Sequence, residues 1–211
     1  MPRLLPGTSP ETDLYALTDD ELSLGRPAVE VAKALLDSGI KILQYREKEK
    51  KAGQMLKECL ELRRLTREAG ACFIVNDHVD IAVLCEADGV HVGQSDMAAG
   101  KVRELIGPDK ILGVSAQTVD EALLAEREGA DYLGVGAVFP TGTKADANAV
   151  SYDTLREICA AVSIPVIAIG GITKDNVARL SGSGIVGVAV VSAIFAQPDI
   201  PIATRALKAA V

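Results

Sequence analysis

The sequence predicts a single-domain α/β protein, a closed (β/α)8 barrel of the TIM type. Three observations predict it. Short runs rich in Val, Ile and Leu recur eight times. Amphipathic stretches with apolar residues at three- and four-residue intervals lie between them, and glycines stand where such helices would stop. Alternating strands and helices favour a parallel sheet, because each parallel connection needs a crossover long enough to hold a helix. Eight units in 211 residues suit the compact end of this architecture, and no linker or charge block divides the chain. Residues 1–12 read as a flexible N-terminal arm and 13–211 as the catalytic barrel.

The arm, MPRLLPGTSPET, lacks the apolar core of a signal peptide. LYALT (14–18) is the first strand, and no GxGxxG follows it, which weighs against an open doubly wound sheet built around a dinucleotide. PAVEVAKALLDSG then has helical spacing and stops at Gly39. IKILQYRE (40–47) is the second strand, and GQMLKECLELRRLTREAG is the helix after it, ending at Gly70. CFIVND (72–77) and DGVHVG (88–93) follow as the third and fourth strands, with helical stretches beginning in DHVDIAVL and DMAAGKVRELI. ILGVS (111–115) is the fifth strand, before the helix TVDEALLAEREGA with its Gly129. DYLGVGAVF (131–139), PVIAIGG (165–171) and GIVGVAVVS (184–192) complete the eight.

Composition narrows the function. A formal net charge of -7, a pI near 4.9 and 3% aromatic residues without Trp argue against nucleic-acid binding, which needs a basic footprint or a stacking platform. The longest apolar stretch, GIVGVAVVSAIFA, is too short and too rich in Gly to span a bilayer, so no membrane partner is expected. Four cysteines without a CxxC pair fit reduced thiols and a cytoplasmic location, and argue against a zinc or disulfide framework. The sequence leaves a homodimer open.

In such a barrel the chemistry lies where strands end and helices begin. Alternation in the second strand puts Ile40, Ile42, Gln44, Arg46 and Lys48 on one face, apolar at one end and cationic at the other. Tyr45 and Glu47 then point to the surrounding helices, and Glu49, Lys50 and Lys51 read as solvated surface. The third strand ends in Asn76 and Asp77, and Asp96 follows the fourth. Two carboxylates without a Cys pair or His cluster suit a hard cation such as Mg2+, although each Asp could equally cap a helix. FPTGTK (139–144) offers two hydroxyls, a glycine and Lys144 to an anion, or is a plain turn. Gly170 and Gly171 end the seventh strand, and Val191 and Ser192 the eighth, where SAIF could form a short helix for a phosphate. Glycines at strand ends also occur for steric reasons alone. Ser115 ends the fifth strand. No sequence cue gives it a base, and His78 and His91 read as structural. The inventory implies two anionic sites on one rim, hence two small phosphorylated substrates.

QYREK (44–48), ND (76–77), GVHVGQSD (89–96), GVSAQT (113–118), FPTGTK (139–144), AIGGI (168–172) and VVSAI (190–194) together resemble the thiamine-phosphate synthase family, from Leu14 to about Asp199. The resemblance implies a Mg2+-dependent transferase. It would join a hydroxymethylpyrimidine diphosphate to a hydroxyethylthiazole phosphate, giving thiamine phosphate and pyrophosphate. Matched by motif, Gln44 would hold the pyrimidine, and Arg46, Lys48, Asn76, Ser115 and Lys144 the diphosphate. Tyr45 and Glu47 belong to the same substrate-binding run. Asp77 and Asp96 would bind Mg2+, while Thr141, Gly142, Thr143, Gly171, Val191 and Ser192 would take the thiazole phosphate. Arg46, Lys48, Ser115 and Lys144 are the expected catalytic groups. Gln117 departs from the His common in the family. A tautomerase or regulator on the same barrel is disfavoured because the diphosphate-site residues are all present. A phosphosugar isomerase or aldolase would want a Glu base or a Schiff-base Lys inside a strand, which the strand centres lack.

Overall fold

Eight parallel strands pair each with its neighbour in sequence, and the last returns to the first to close a barrel. They are β1 (Leu14–Leu17), β2 (Ile42–Tyr45), β3 (Cys72–Asn76), β4 (Gly89–Val92), β5 (Ile111–Ala116), β6 (Tyr132–Val135), β7 (Val166–Ile169) and β8 (Gly187–Val190). The computed structural model describes residues 14–141 and 149–211. The expected arm therefore lies outside the described residues. All eight expected strands are present.

Among the described residues the helices are α1 (Ala28–Asp37), α2 (Ala52–Glu68), α3 (Val79–Leu84), α4 (Ala99–Ile106), α5 (Val119–Arg127), α6 (Tyr152–Ala161) and α7 (Ile200–Lys208). Gly39, Gly70 and Gly129 have φ of 83°, 60° and 90°, the left-handed backbone that ends a helix and that glycine adopts without a Cβ clash. None of these helices is long and apolar enough to cross a membrane.

The pleat sorts the apolar residues into two layers. Tyr15, Leu17, Ile42, Ile74, Ile111, Tyr132, Ile167 and Ala189 fill the barrel interior. A larger shell, with Leu43, Tyr45, Phe73, Val75, Leu112 and Leu133, packs against the helices. Each fully buried aliphatic or aromatic side chain there contributes about 1.5–3 kcal/mol.

Three details differ from the sequence expectation. β2 begins at Ile42, so Ile40 precedes the pleat and joins the outer shell rather than the interior row. The connection from β7 to β8 holds only a 3-10 turn, Val177–Leu180. The SAIF stretch after β8 is a turn and not a helix, with Phe195 N–H donating to the Val191 carbonyl at 2.8 Å. Pro198 stops its growth, and Asp199 starts α7 by accepting from Ile202 N–H at 2.8 Å. Arg26 fixes this turn from the β1 side, donating to the carbonyls of Phe195 and Gln197 at 2.9 Å each.

Candidate active site

At the C-terminal ends of the strands opens a cavity of about 390 Å3. Its lining includes Gln44, Arg46, Asn76, Ser115, Thr141, Gly171, Val191 and Ser192, all expected from sequence. Inward-facing polar groups form its floor. Gln44 Nε2–H donates to the Tyr15 hydroxyl at 2.7 Å, and that hydroxyl lies 2.9 Å from the hydroxyl of Tyr132. Tyr132 meets His91 Nδ1 at 2.9 Å, and His91 Nε2 meets Ser115 Oγ at 3.0 Å. Burial pushes both phenols above the usual tyrosine range, so they remain protonated hydroxyls.

The rim over β2, β3 and β4 is ionic. Arg46 reaches Asp19 at 3.1 Å, and its backbone is tied to the Thr18 hydroxyl at the end of β1. Lys48 Nζ lies 2.8 Å from Asp77 Oδ2. Asp96 stands against Asp77 and accepts from Gly93 N–H at 2.8 Å. Burial pushes the Asp96 carboxyl up, and the Asp77 charge beside it adds to the rise. Neither Asp caps a helix: His78 precedes α3 and Ala98 precedes α4. Asp77 holds a φ of 60°, a conformation that costs a non-glycine residue energy and recurs at functional sites.

Tyr45 and Glu47 do not line the cavity. The Tyr45 hydroxyl donates to Glu58 at 2.7 Å inside the outer shell, as the alternation of β2 requires. The Glu47 carboxylate turns back to accept the N–H groups of Lys48 at 2.7 Å and Glu49 at 2.9 Å. Lys50, expected as solvated surface, has a side chain only 15% exposed and faces Asp20, Glu47 and Glu58. Burial lowers its basicity, but hydrogen bonds to Asp20 and Glu58 outweigh this and hold the ammonium above its usual range.

Across the cavity, Gly171 seats the loop after β6. A Cβ there would lie 2.4 Å from the Pro140 carbonyl oxygen, so this glycine answers to the protein's own backbone. Thr141 lies beside it on the cavity wall; Gly142, Thr143 and Lys144 lie outside the described residues. Gln117 lines the cavity and donates to the Gly136 carbonyl at 3.3 Å. The one carboxylate of the lining among the described residues, Glu121, accepts the Gln117 N–H at 2.7 Å.

The family model described as thiamine monophosphate synthase matches residues 14–194. The chain belongs to the thiamine monophosphate synthase family. It is an enzyme, a transferase of thiamine biosynthesis. A thiamine-phosphate synthase of Lawsonia intracellularis is 50% identical, over 100% of this chain and 98% of that one. That of Chloroflexus aurantiacus is 52% identical over 94% and 92%. A solved thiamine phosphate pyrophosphorylase of Pyrococcus furiosus superposes with a TM-score of 0.87 at 42% identity, covering 95% of each chain. Tyr15, His91 and Tyr132 also line the cavity, a placement that sequence reasoning did not give. A signal existed for His91: in the register of β4 on β5 it pairs with Gly113, two residues before Ser115, so both side chains face inward.

Proposed function

We propose that the chain joins an aminopyrimidine methyl diphosphate to a thiazole bearing a phosphoethyl group, releasing pyrophosphate, with Mg2+ at Asp77 and Asp96. The observation that carries the metal reading is the facing pair of carboxylates beside Lys48, at the edge of a cavity that also holds Arg46. Two hard oxygen donors match Mg2+, which keeps several positions for water and substrate phosphate. No group of three or more His, Cys, Asp or Glu gathers among the described residues, so substrate oxygens would complete the shell. When bound, Mg2+ supplies charge neutralisation to the diphosphate.

The side chains then divide the work. Arg46, Lys48, Asn76, Ser115 and Lys144 hold the diphosphate and stabilise the charge that grows as the methylene C–O bond breaks. That bond's electron pair leaves with pyrophosphate. Gln44 orients the aminopyrimidine, whose electron-rich ring stabilises the methylene cation of a dissociative path. The thiazole nitrogen lone pair then forms the C–N bond, held in place by Thr141, Gly142, Thr143, Gly171, Val191 and Ser192 around its phosphate. No proton has to be removed. This agrees with the lining, where Glu121 is committed to a backbone N–H.

The test is pyrophosphate release from the two substrates together, with Mg2+ and with a chelator. Release that needs both substrates and Mg2+ is the expected result. Release without metal would remove Asp77 and Asp96 from that role, and none under any condition would sink the substrate assignment. Lys144→Ala is expected to lower turnover by about 100- to 1,000-fold, the usual loss for one electrostatic partner of a transition state.

A further inference from the structure

The five side chains on the cavity floor form one unbroken row across the barrel. Gln44, Tyr15, Tyr132, His91 and Ser115 are linked by contacts of 2.7, 2.9, 2.9 and 3.0 Å. We infer that His91 is a positioning residue. In its Nε2–H tautomer it fixes the direction of this row, so that Ser115 offers a proton and Gln44 an amide oxygen to the substrate.

The direction follows from counting protons. A phenol has one proton to give. Gln44 Nε2–H donates to Tyr15, and Tyr132 is the other partner of that buried hydroxyl among the described residues, so the Tyr15 proton goes to Tyr132. The Tyr132 proton must then go to His91 Nδ1, which therefore carries none. His91 holds its proton on Nε2 and donates it to Ser115 Oγ. Ser115, already an acceptor, is left with its own proton for the cavity. At the opposite end, Gln44 Oε1 is buried without a hydrogen-bond partner among the described residues, and Gln44 lines the cavity. A buried amide oxygen left unmet is costly, and a ligand N–H would remove that cost.

The barrel is shaped for this row. A Cβ on Gly113 would lie 2.2 Å from the Tyr132 ring and 2.4 Å from His91 Nδ1. One on Gly134 would lie 3.0 Å from His91 Cε1. Two strands thus give up a side chain where Tyr132 meets His91. The result is a cavity with an acceptor at one end and a donor at the other. That polarity matches a ring that carries an amino group and, beside it, a methylene-linked diphosphate. The inference rests on the proposed pyrimidine diphosphate reading and assigns His91 a part in it.

Nitrogen NMR of protein labelled in histidine tests the tautomer in the wild-type chain, which needs no variant to fold. His78→Gln removes the other of the two histidines and so assigns the signal. The expected spectrum has a proton on Nε2 and none on Nδ1; a proton on Nδ1 overturns the inference. Turnover then tests the coupling. Ser115→Ala is expected to lower kcat by about 100-fold, as loss of one preorganised donor does, with KM moving less. His91→Leu should lower kcat by a comparable factor, and the double variant should be no slower than the slower single one. Losses that multiply would overturn the inference while leaving the role of Ser115 intact. A fully active Ser115→Ala enzyme would instead overturn the substrate reading beneath it.

Discussion

Inside the barrel, five polar side chains form one hydrogen-bonded row over 2.7 to 3.0 Å. At the rim a few residues away, two carboxylates face each other, and an ammonium lies 2.8 Å from one of them, Asp77. The interior row is largely buried and its hydrogen bonds fix orientation, so it can set where a ring sits but not neutralise much charge. The rim carries an excess of negative charge that a cation and a diphosphate would complete together. Geometry and charge are thus supplied by different layers, and the two should fail differently. The largest expected effect is at the rim. Asp77→Ala should lower turnover by about 100- to 1,000-fold while leaving the melting curve nearly in place. Steady-state kinetics at saturating Mg2+ beside a thermal melt checks this, and full activity in a folded variant would remove Asp77 from the chemistry.

A second effect separates the half of the rim proposed for catalysis from its structural half. Lys50 is held by Asp20, Glu47 and Glu58, and removing its charge leaves three carboxylates together. Lys50→Met should cost about 3 kcal/mol, the lower end for breaking a buried pair because Asp20 keeps some solvent. Urea unfolding reads this directly. A loss of turnover without a loss of stability would instead put Lys50 in the site.

Next comes the interior. Gly113→Ala should cost about 1–3 kcal/mol by overpacking against Tyr132 and His91. It should also slow turnover, because both partners must shift to admit the methyl group. Unchanged stability would mean that the row is looser than its distances imply.

How much of this was legible depended on whether the signal was local. All eight strands announce themselves because a buried parallel strand needs a run of Val, Ile and Leu that little else in the chain imitates. Alternation correctly turned Gln44 inward and Tyr45 outward, since a pleat leaves no other choice. It failed at Ile40, which lies before the strand begins and outside its period. Lys50 looked solvated because two of its three partners lie on other elements, Asp20 after β1 and Glu58 on α2. Tyr15 and Tyr132 are 117 positions apart, and nothing in either neighbourhood names the other. Charge runs show themselves in sequence; a hydrogen-bonded row across a barrel appears only when the strands close.

Within QYREK the same contrast can be taken to its smallest scale. Glu47 belongs to the motif yet faces away from the cavity, its carboxylate bound to the N–H groups of Lys48 and Glu49. Burial works to raise its pKa, but those backbone hydrogen bonds and Lys50 prevail and hold it below the ordinary glutamate value. A carboxyl depressed in the folded state stabilises the fold fully above its unfolded pKa of about 4.3, and this contribution disappears as pH falls through the lower folded value. Glu47→Gln should therefore be less stable than wild type by about 1 kcal/mol at neutral pH. The difference should narrow as acid titrates the wild-type carboxylate. Urea midpoints measured from pH 7 down to about pH 3 resolve it. A gap that stays constant with pH would mean that the shape of the side chain, and not its charge, holds the turn that carries Lys48 to Asp77.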